Sequence, residues 1–273
     1  MILAFEAPRY GRGWMCILLL IISGCQAEQH EALYSESQPV GAAAMTDEAA
    51  QPDMMANVQA QGRVTTVNGV GNFDSKITPY AFVLSTAVWQ KGSDGFTNID
   101  VCWENPDAQY DAEQALVRKA VEATWQAYSR IKFAGWKKCV NGNYGIHILV
   151  EDSGPHTKGL GSKLNQVSNG MVLNFTFKNW SQTCSQSKKM RDKCIYSIAV
   201  HEFGHAIAYA HEQNRYDTPG ECAIRRQGSD GDLLLTSYDP SSVMNYCNPV
   251  YNNNGVLSER DKIGLAMAYG APK

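Results

Sequence analysis

Two histidines four residues apart constrain this chain more than any other feature. His201 and His205 follow the mainly apolar segment 196–200. If the segment is helical, residues four apart lie on one face, so both imidazoles leave the helix together. Paired imidazoles suit zinc, which in catalytic sites takes three protein ligands and keeps one position for water. The spacing therefore predicts a metal site that needs a third ligand.

His211 is the candidate third ligand. It lies six residues after His205, and a continuous helix would carry it about 9 Å further along the axis. The helix must therefore end before His211 if the chain is to turn back. Glu202 is placed to accept a proton from water, whose pKa such a metal lowers to about 7. Together these residues predict a hydrolase.

The short pattern H-E-x-x-H also occurs on ordinary half-buried helices, so the longer pattern matters. Here it extends to H-E-x-x-H-x-x-x-x-x-H-E-x-x-R-x-D, and Met244 follows within S-V-M-N-Y. This combination resembles the metzincin zinc proteases, which set three such histidines above a methionine turn.

Within that clan the chain is most similar to the astacins, over roughly its last third. In astacins Glu, Arg and Asp follow the third histidine, as Glu212, Arg215 and Asp217 do here, and the segment 257–265 resembles their closing helix. The resemblance implies a role for each site residue. These are His201, His205 and His211 as zinc ligands, Glu202 as general base, Met244 as the floor, and Tyr246 as a switchable extra ligand and oxyanion stabiliser.

Two positions depart from the family pattern. Ala208 stands where metzincins usually have glycine, at the point where the helix ends. If that position needs a positive φ, alanine costs about 1 kcal/mol or somewhat more. A zinc-binding free energy on the order of 10 kcal/mol could absorb this cost. Asn245 stands where astacins commonly have histidine.

The N-terminus has the pattern of an export signal. Arg9 and Arg12 precede an apolar run, 14–22, which is shorter than the roughly 20 residues that span a bilayer. The sequence I-S-G-C that ends at Cys25 resembles the lipobox of bacterial lipoproteins, which implies lipidation of that cysteine. Ordinary cleavage nearby, for example after Ala27, is the alternative and would give a secreted protein.

Residues 26 to about 60 are rich in Ala, Glu, Gln, Ser and Met. Such a composition cannot bury enough apolar surface to fold and predicts a flexible tether. A pro-segment that blocks the metal is an alternative, with Asp74 as its candidate residue, although the surroundings do not match the astacin inhibitory motif. We expect a signal peptide at 1–24, a lipidated tether or pro-segment at 25–75 and a zinc metalloprotease domain at 76–273.

The cysteines predict disulfides. Of the eight, Cys16 leaves with the signal and Cys25 is lipidated or lost. An even six in an exported domain favours three disulfides, although sequence alone allows several pairings. We predict that neighbours along the chain pair: Cys102 with Cys139, Cys184 with Cys194, and Cys222 with Cys247. A cysteine-ligated structural zinc is not favoured because no C-x-x-C occurs.

The remaining pattern predicts an α+β fold. Segments 96–103, 145–150 and 171–177 have the composition of strands. Asp111, with Gln114 three residues later, predicts a capped helix. With the resemblance, this gives an α+β, metzincin-like, two-lobed zinc protease domain. It has an N-terminal mixed sheet with helices and a smaller irregular C-terminal lobe that ends in a helix.

In metzincins the edge strand of the sheet pairs with the substrate backbone. Segment 171–175 is our candidate for that strand, and an interior position is the alternative. Segments 154–161 and 163–170 are predicted loops without a phosphate-binding glycine pattern. His30, His147 and His156 are expected to lie outside the site.

We therefore expect a zinc-dependent endopeptidase that hydrolyses peptide bonds. Its expected partners are a protein or peptide substrate and a membrane, contacted through lipid on Cys25. The net charge of −3, with both signs interspersed, does not favour nucleic acid, and we expect a monomer.

Two alternatives remain open at this stage. Glu221 lies 16 residues after His205 and would be the third ligand of a gluzincin-like site if the helix continued through Ala208. A surface lipoprotein that binds a partner and retains its zinc without catalysis is the alternative of another class.

Overall fold

The computed structural model describes residues 81–273 and two short upstream strands, β1 (Thr66–Val67) and β2 (Val70–Gly71), which pair antiparallel. The predicted signal peptide, Cys25, His30 and Asp74 lie outside the described residues. Within the described part of the chain, no helix is both long and apolar enough to cross a bilayer.

A five-stranded mixed sheet forms the N-terminal half of the described region. Its strands, in sheet order, are β5 (Ile131–Lys138), β4 (Thr97–Trp103), β6 (Ile146–Val150), β8 (Met171–Leu173) and β7 (His156–Thr157). Only β7 runs antiparallel to its neighbour, and the other pairs are parallel. The central strands are apolar and largely buried, as expected where both faces of a parallel sheet are covered.

The position of β8 corrects our candidate for the edge strand. β8 lies between β6 and β7, so the interior alternative holds. All three of its residues are buried, and such an apolar run is unsuited to an exposed edge. The edge on that side of the sheet is β7, inside a segment predicted as loop, where the exposed His156 precedes Thr157.

Five helices pack against the sheet or close the C-terminal half of the described region. They are α1 (Asp111–Val121), α2 (Gln182–Ser185), α3 (Lys188–Ala206), α4 (Gly220–Ala223) and α5 (Glu259–Tyr269). The prediction that Asp111 caps a helix was wrong in detail, because the residue before it, Tyr110, holds the cap position. Asp111 lies in the first turn, where a carboxylate still suits the positive end of the helix dipole.

The C-terminal half is irregular and is fixed by the start of α5. Ser258 accepts a hydrogen bond from the Asp261 backbone, and the Asp261 side chain accepts one from Ser258 in return, a reciprocal cap. The same buried carboxylate accepts hydrogen bonds from Ser242 Oγ at 2.6 Å and Val243 N at 3.1 Å. The closing helix therefore anchors the turn that contains Met244.

Another two-stranded sheet includes residues 81–83, which also contact the segment after α3. β3 (Ala81–Val83) pairs antiparallel with β9 (Leu233–Leu235). On its other side, Ala210 N donates to Phe82 O and Leu84 N donates to Ala208 O, both at 2.9 Å. The chain after α3 is therefore held in an extended conformation.

The structure confirms the α+β class and all three predicted disulfides, Cys102–Cys139, Cys184–Cys194 and Cys222–Cys247. The last joins α4 to the residue that follows Tyr246.

Gly161 provides a test of packing beside the end of α3. It has φ +52°, and a Cβ there would overlap Ala87 O and lie 2.8 Å from the Ala208 Cβ. We expect Gly161→Ala to lower the free energy of unfolding by about 2–4 kcal/mol, measured by urea denaturation.

Gly142 is the matched control, because it also has a positive φ, +81°, but no atom lies within 4 Å of a Cβ there. Gly142→Ala should cost only the backbone term, about 1 kcal/mol. Equal losses from the two substitutions would contradict the packing described here.

Candidate metal centre

Helix α3 carries the first part of the site. Its start is capped by the Ser187 side chain, which accepts a hydrogen bond from Met190 N at 3.2 Å. The helix then enters the core, where His201, Glu202 and His205 are each at least 94% buried. The pair of histidines therefore lies on a rigid, buried element.

The helix ends one residue after His205, through a motif that reverses the chain. Ala208 N donates to His205 O at 3.0 Å and Tyr209 N donates to Gly204 O at 2.9 Å, the hydrogen-bond pair of a Schellman motif. Ala208 has φ +76°, so the condition considered for this position is met. Glycine is the usual residue there because it adopts this conformation without steric cost.

Two aromatic side chains satisfy the last carbonyl groups of this helix end. Trp89 Nε1 donates to Ala206 O at 2.7 Å, and Tyr269 Oη donates to Ile207 O at 2.9 Å. Buried carbonyl groups without partners would be costly. The sharp end of the helix is therefore stabilised from two distant parts of the chain.

The reversal brings His211 back to the histidines of α3. His211 Nε2 lies 3.2 Å from His201 Nε2 and 3.1 Å from His205 Nε2. All three side chains are buried. They form one of two groups in the described region in which three side chains able to bind a metal lie close together. The other group contains the disulfide-bonded Cys102 and Cys139, whose sulfurs are already paired.

Backbone carbonyls fix the orientation of each imidazole ring. The Nδ1 atoms of His201, His205 and His211 lie 2.7, 2.8 and 2.9 Å from the carbonyl oxygens of Val243, Tyr209 and Gln227. A carbonyl only accepts, so each Nδ1 carries the proton and each neutral ring leaves Nε2 unprotonated. Three lone pairs therefore converge on one point.

The three rings favour the neutral form that binds metals. Burial lowers the pKa of His201 to about 3, and the nearby His211 adds to this decrease. Burial also lowers the pKa of His205, well below its usual value, and that of His211. Metal binding needs deprotonated imidazole, so the site has its ligands in the required state at neutral pH.

The arrangement fits a tetrahedral zinc ion. Zinc–nitrogen bonds of about 2.0–2.1 Å at tetrahedral angles place ligand nitrogens about 3.3 Å apart, close to the 3.2 and 3.1 Å that separate His211 Nε2 from the Nε2 atoms of His201 and His205. Unprotonated nitrogens at this distance repel one another unless a cation or a proton lies between them. The donor set of three imidazoles suits zinc among the common metals.

Glu202 lies beside the first histidine and is fully inside the protein. Burial raises the pKa of its carboxyl group to about 8, and a cation held by the neighbouring histidines would lower it. Its Oε2 atom has no hydrogen-bond partner among the described residues. A buried carboxylate oxygen without a partner is costly. Such an oxygen is typical of a group that acts on a ligand.

The predicted methionine turn lies beneath the histidines. Met244 is buried, and its sulfur fills the space where Gly204 lacks a side chain. Met244 O accepts a hydrogen bond from Glu212 N at 2.9 Å, which holds the residue after His211. In place of the usual histidine, Asn245 closes the turn by donating to Asp239 O at 2.8 Å.

The Tyr246 ring lies against two of the three candidate ligands. Its ring stacks on His201 with centroids 4.9 Å apart and lies 4.6 Å from the His211 ring. Its backbone N–H donates to Gln213 Oε1 at 3.1 Å. The structure therefore brings Tyr246 together with the three histidines and Glu202 of the predicted site.

The residues after His211 that suggested the astacins have a structural role here. Arg215 is fully buried and forms a two-point contact with the Asp217 carboxylate, at 2.7 and 2.8 Å. Glu212 accepts from Asp239 N at 2.8 Å. Burial raises the pKa of Glu212 to about 8, although Arg215 opposes the shift.

Other candidates lie elsewhere. Helix α3 ends at Ala206, so the condition for Glu221 as a ligand is not met, and Glu221 is exposed on α4. His147 contacts Glu104 Oε1 and Asn143 O, and His156 lies on the edge strand. Sequence reasoning missed the carbonyl acceptors of Val243, Tyr209 and Gln227, because every residue type offers a carbonyl.

Comparisons with known proteins give similarities at low identity. No protein-family model matches. The chain is similar to embryonic protein UVS.2 of Xenopus laevis, at 26% identity over 188 residues, covering 64% of this chain and only 31% of that protein's length.

Among solved structures it is similar to high choriolytic enzyme 1, a hatching enzyme zinc-protease of the medaka fish Oryzias latipes. That match has 21% identity and a TM-score of 0.49, and covers 69% of this chain and 96% of the enzyme. A structure of myroilysin matches with 20% identity and a TM-score of 0.46, covering 68% and 97%.

The geometry makes a direct prediction about the third ligand. His211→Ala should lose tight zinc binding, by at least about 100-fold in affinity, because two imidazoles alone leave the ion half-coordinated. Glu221→Ala should bind zinc as the unaltered protein does. Zinc content after dialysis and competition with a chromophoric chelator measure both, and the opposite ranking would restore the alternative ligand.

Proposed function

We propose that the chain is a zinc-dependent endopeptidase of astacin type. The observation that carries the proposal is the convergence of three histidines, in which His211 Nε2 lies 3.2 Å from His201 Nε2 and 3.1 Å from His205 Nε2. The helix that carries two of them also carries Glu202, a buried carboxylate with an oxygen that has no partner among the described residues. His201, His205 and His211 would hold the ion.

A zinc ion bound there would polarise the scissile carbonyl and make water acidic enough to lose a proton near neutral pH. Glu202 would accept that proton and pass it to the leaving amine, as a general base that becomes a general acid. Tyr246, stacked on two of the histidines, would stabilise the oxyanion by hydrogen bonding.

The substrate is proposed to bind in extended form along β7. This strand is one of the two edges of the main sheet, and peptide strands add to such edges through backbone hydrogen bonds. His156 and Thr157 form the edge. This assignment replaces segment 171–175, which lies inside the sheet.

The proposed location is outside the cytoplasm. Three disulfides in the described region are typical of an oxidising compartment, which agrees with the predicted signal peptide. Lipid attachment at Cys25, and with it a membrane anchor, remains a prediction from the sequence, as does the monomeric state.

The first test is hydrolysis of denatured casein or gelatin by the purified full chain with zinc, compared with Glu202→Gln. Glutamine keeps the shape of the side chain and cannot accept the proton. We expect full zinc content in both proteins and a rate that falls at least about 10²–10⁴-fold in the variant.

Glu221→Gln changes an exposed glutamate of the same chemistry and should keep full activity. If the unaltered protein holds zinc and cleaves neither substrate, the endopeptidase proposal fails, and a zinc site without catalysis becomes the better description.

Tyr246→Phe tests the second catalytic role. Removing one oxyanion donor costs about 10²-fold or more in kcat, whereas the ring that stacks on His201 is kept. Zinc affinity and KM should therefore change little. Tyr216→Phe is the control, because Tyr216 is 84% exposed. A kcat of Tyr246→Phe equal to that of the control would exclude the role.

A further inference from the structure

The three orienting carbonyls differ in how firmly they are held. Val243 and Tyr209, which orient His201 and His205, are buried in the methionine turn and at the end of α3. Gln227, which orients His211, is exposed and lies in segment 226–231, which forms neither helix nor strand. The third ligand therefore depends on a loop that needs its own support.

The side chain of Asn214 supplies that support. Its Nδ2 donates to Gln227 O at 2.8 Å, and its Oδ1 accepts from Gln227 N at 3.0 Å. The side-chain amide thus holds both polar backbone groups of the residue that orients His211. Asn214 is 98% buried, so this contact is shielded from water.

The direction of the Asn214 amide is itself fixed. Nδ2 also donates to Asp230 Oδ1 at 2.9 Å, and Arg226 Nη2 lies 3.0 Å from Asp230 Oδ2. With a carboxylate on that side, the amide nitrogen rather than the oxygen must face the Gln227 carbonyl. The arrangement therefore has one satisfactory orientation.

The loop also approaches the ring of His211 closely. Gly228, with φ +71°, would place a Cβ 3.3 Å from His211 Nδ1. A small displacement of the loop would therefore change either the hydrogen bond to Nδ1 or the contact with the ring. The position of Gln227 sets the direction of the third lone pair.

We propose that Asn214 is a positioning residue for metal binding, which holds the Gln227 carbonyl so that His211 directs Nε2 at the ion. The inference rests on the proposed zinc site. Partners that orient metal ligands typically change metal affinity 10–100-fold when they are removed, and we expect a loss of that size here.

The test replaces Asn214 by aspartate, which has the same shape but no N–H groups. In Asn214→Asp an oxygen would face Gln227 O and the Asp230 carboxylate, and both hydrogen bonds would become repulsive. We expect zinc affinity of the full chain, measured by chelator competition, to fall about 10–100-fold. The absorption spectrum of bound Co²⁺ should also change, because it reports the ligand geometry directly.

Asn105 offers a matched control. Its side-chain amide makes the same two-point contact with Val150, with Nδ2 to O and N to Oδ1 both at 2.9 Å. Val150 lies on β6 and orients no histidine. Asn105→Asp should therefore leave zinc affinity within about twofold and the Co²⁺ spectrum unchanged. The comparison separates the general cost of breaking such a two-point contact from the specific effect of breaking the contact between Asn214 and Gln227.

Zinc affinity of folded Asn214→Asp within twofold of the unaltered protein would overturn the proposal. If that variant does not fold, Asn214→Ala decides, since it removes both hydrogen bonds to Gln227 without adding a charge. Asn214→Ala should also weaken zinc binding about 10–100-fold, and an unchanged affinity would overturn the proposal. Failure of the unaltered protein to bind zinc would refute the site itself.

Discussion

The abrupt end of α3 is the constraint on which the site depends. Two histidines on one helix face can hold a metal only if a third ligand returns to that face, and His211 would lie about 9 Å away if the helix continued. The backbone of Ala208 at φ +76° turns the chain, and β3 then keeps the following residues extended. The metal site and the fold are thus fixed by the same few backbone hydrogen bonds.

Much of the chain serves to hold carbonyl groups in place. Val243 is positioned by Asp261 at the start of α5, Tyr209 by the helix end, and Gln227 by Asn214. Each of these carbonyls accepts a hydrogen bond from one histidine Nδ1, and so fixes the direction of the lone pair on Nε2 of the same ring. The irregular C-terminal half can lack regular structure because its buried polar groups find partners in specific side chains instead.

The sequence predicted the residues that converge at the candidate site better than the contacts that position them. The histidine spacing, Glu202, Tyr246 and the three disulfides each follow from a local pattern, and the structure brings the site residues together. The assignment of segment 171–175 to the sheet edge failed, because an apolar strand has the same pattern at an edge and inside. β5 was not predicted, although Ile131 and Phe133 alternate with exposed residues.

The substitution at Ala208 shows why a departure from a family pattern has to be judged from packing. A positive φ costs alanine about 1–2 kcal/mol, but its methyl group is fully buried, and burial of such a group returns about 0.8 kcal/mol. The space exists because residue 161 is glycine, whose missing Cβ would lie 2.8 Å from that methyl. Here the glycine is not at the helix end but at residue 161, which faces the Ala208 methyl group. Ala208 and Gly161 should therefore be understood as a pair, in which the backbone cost at one residue is largely offset by the room left at the other.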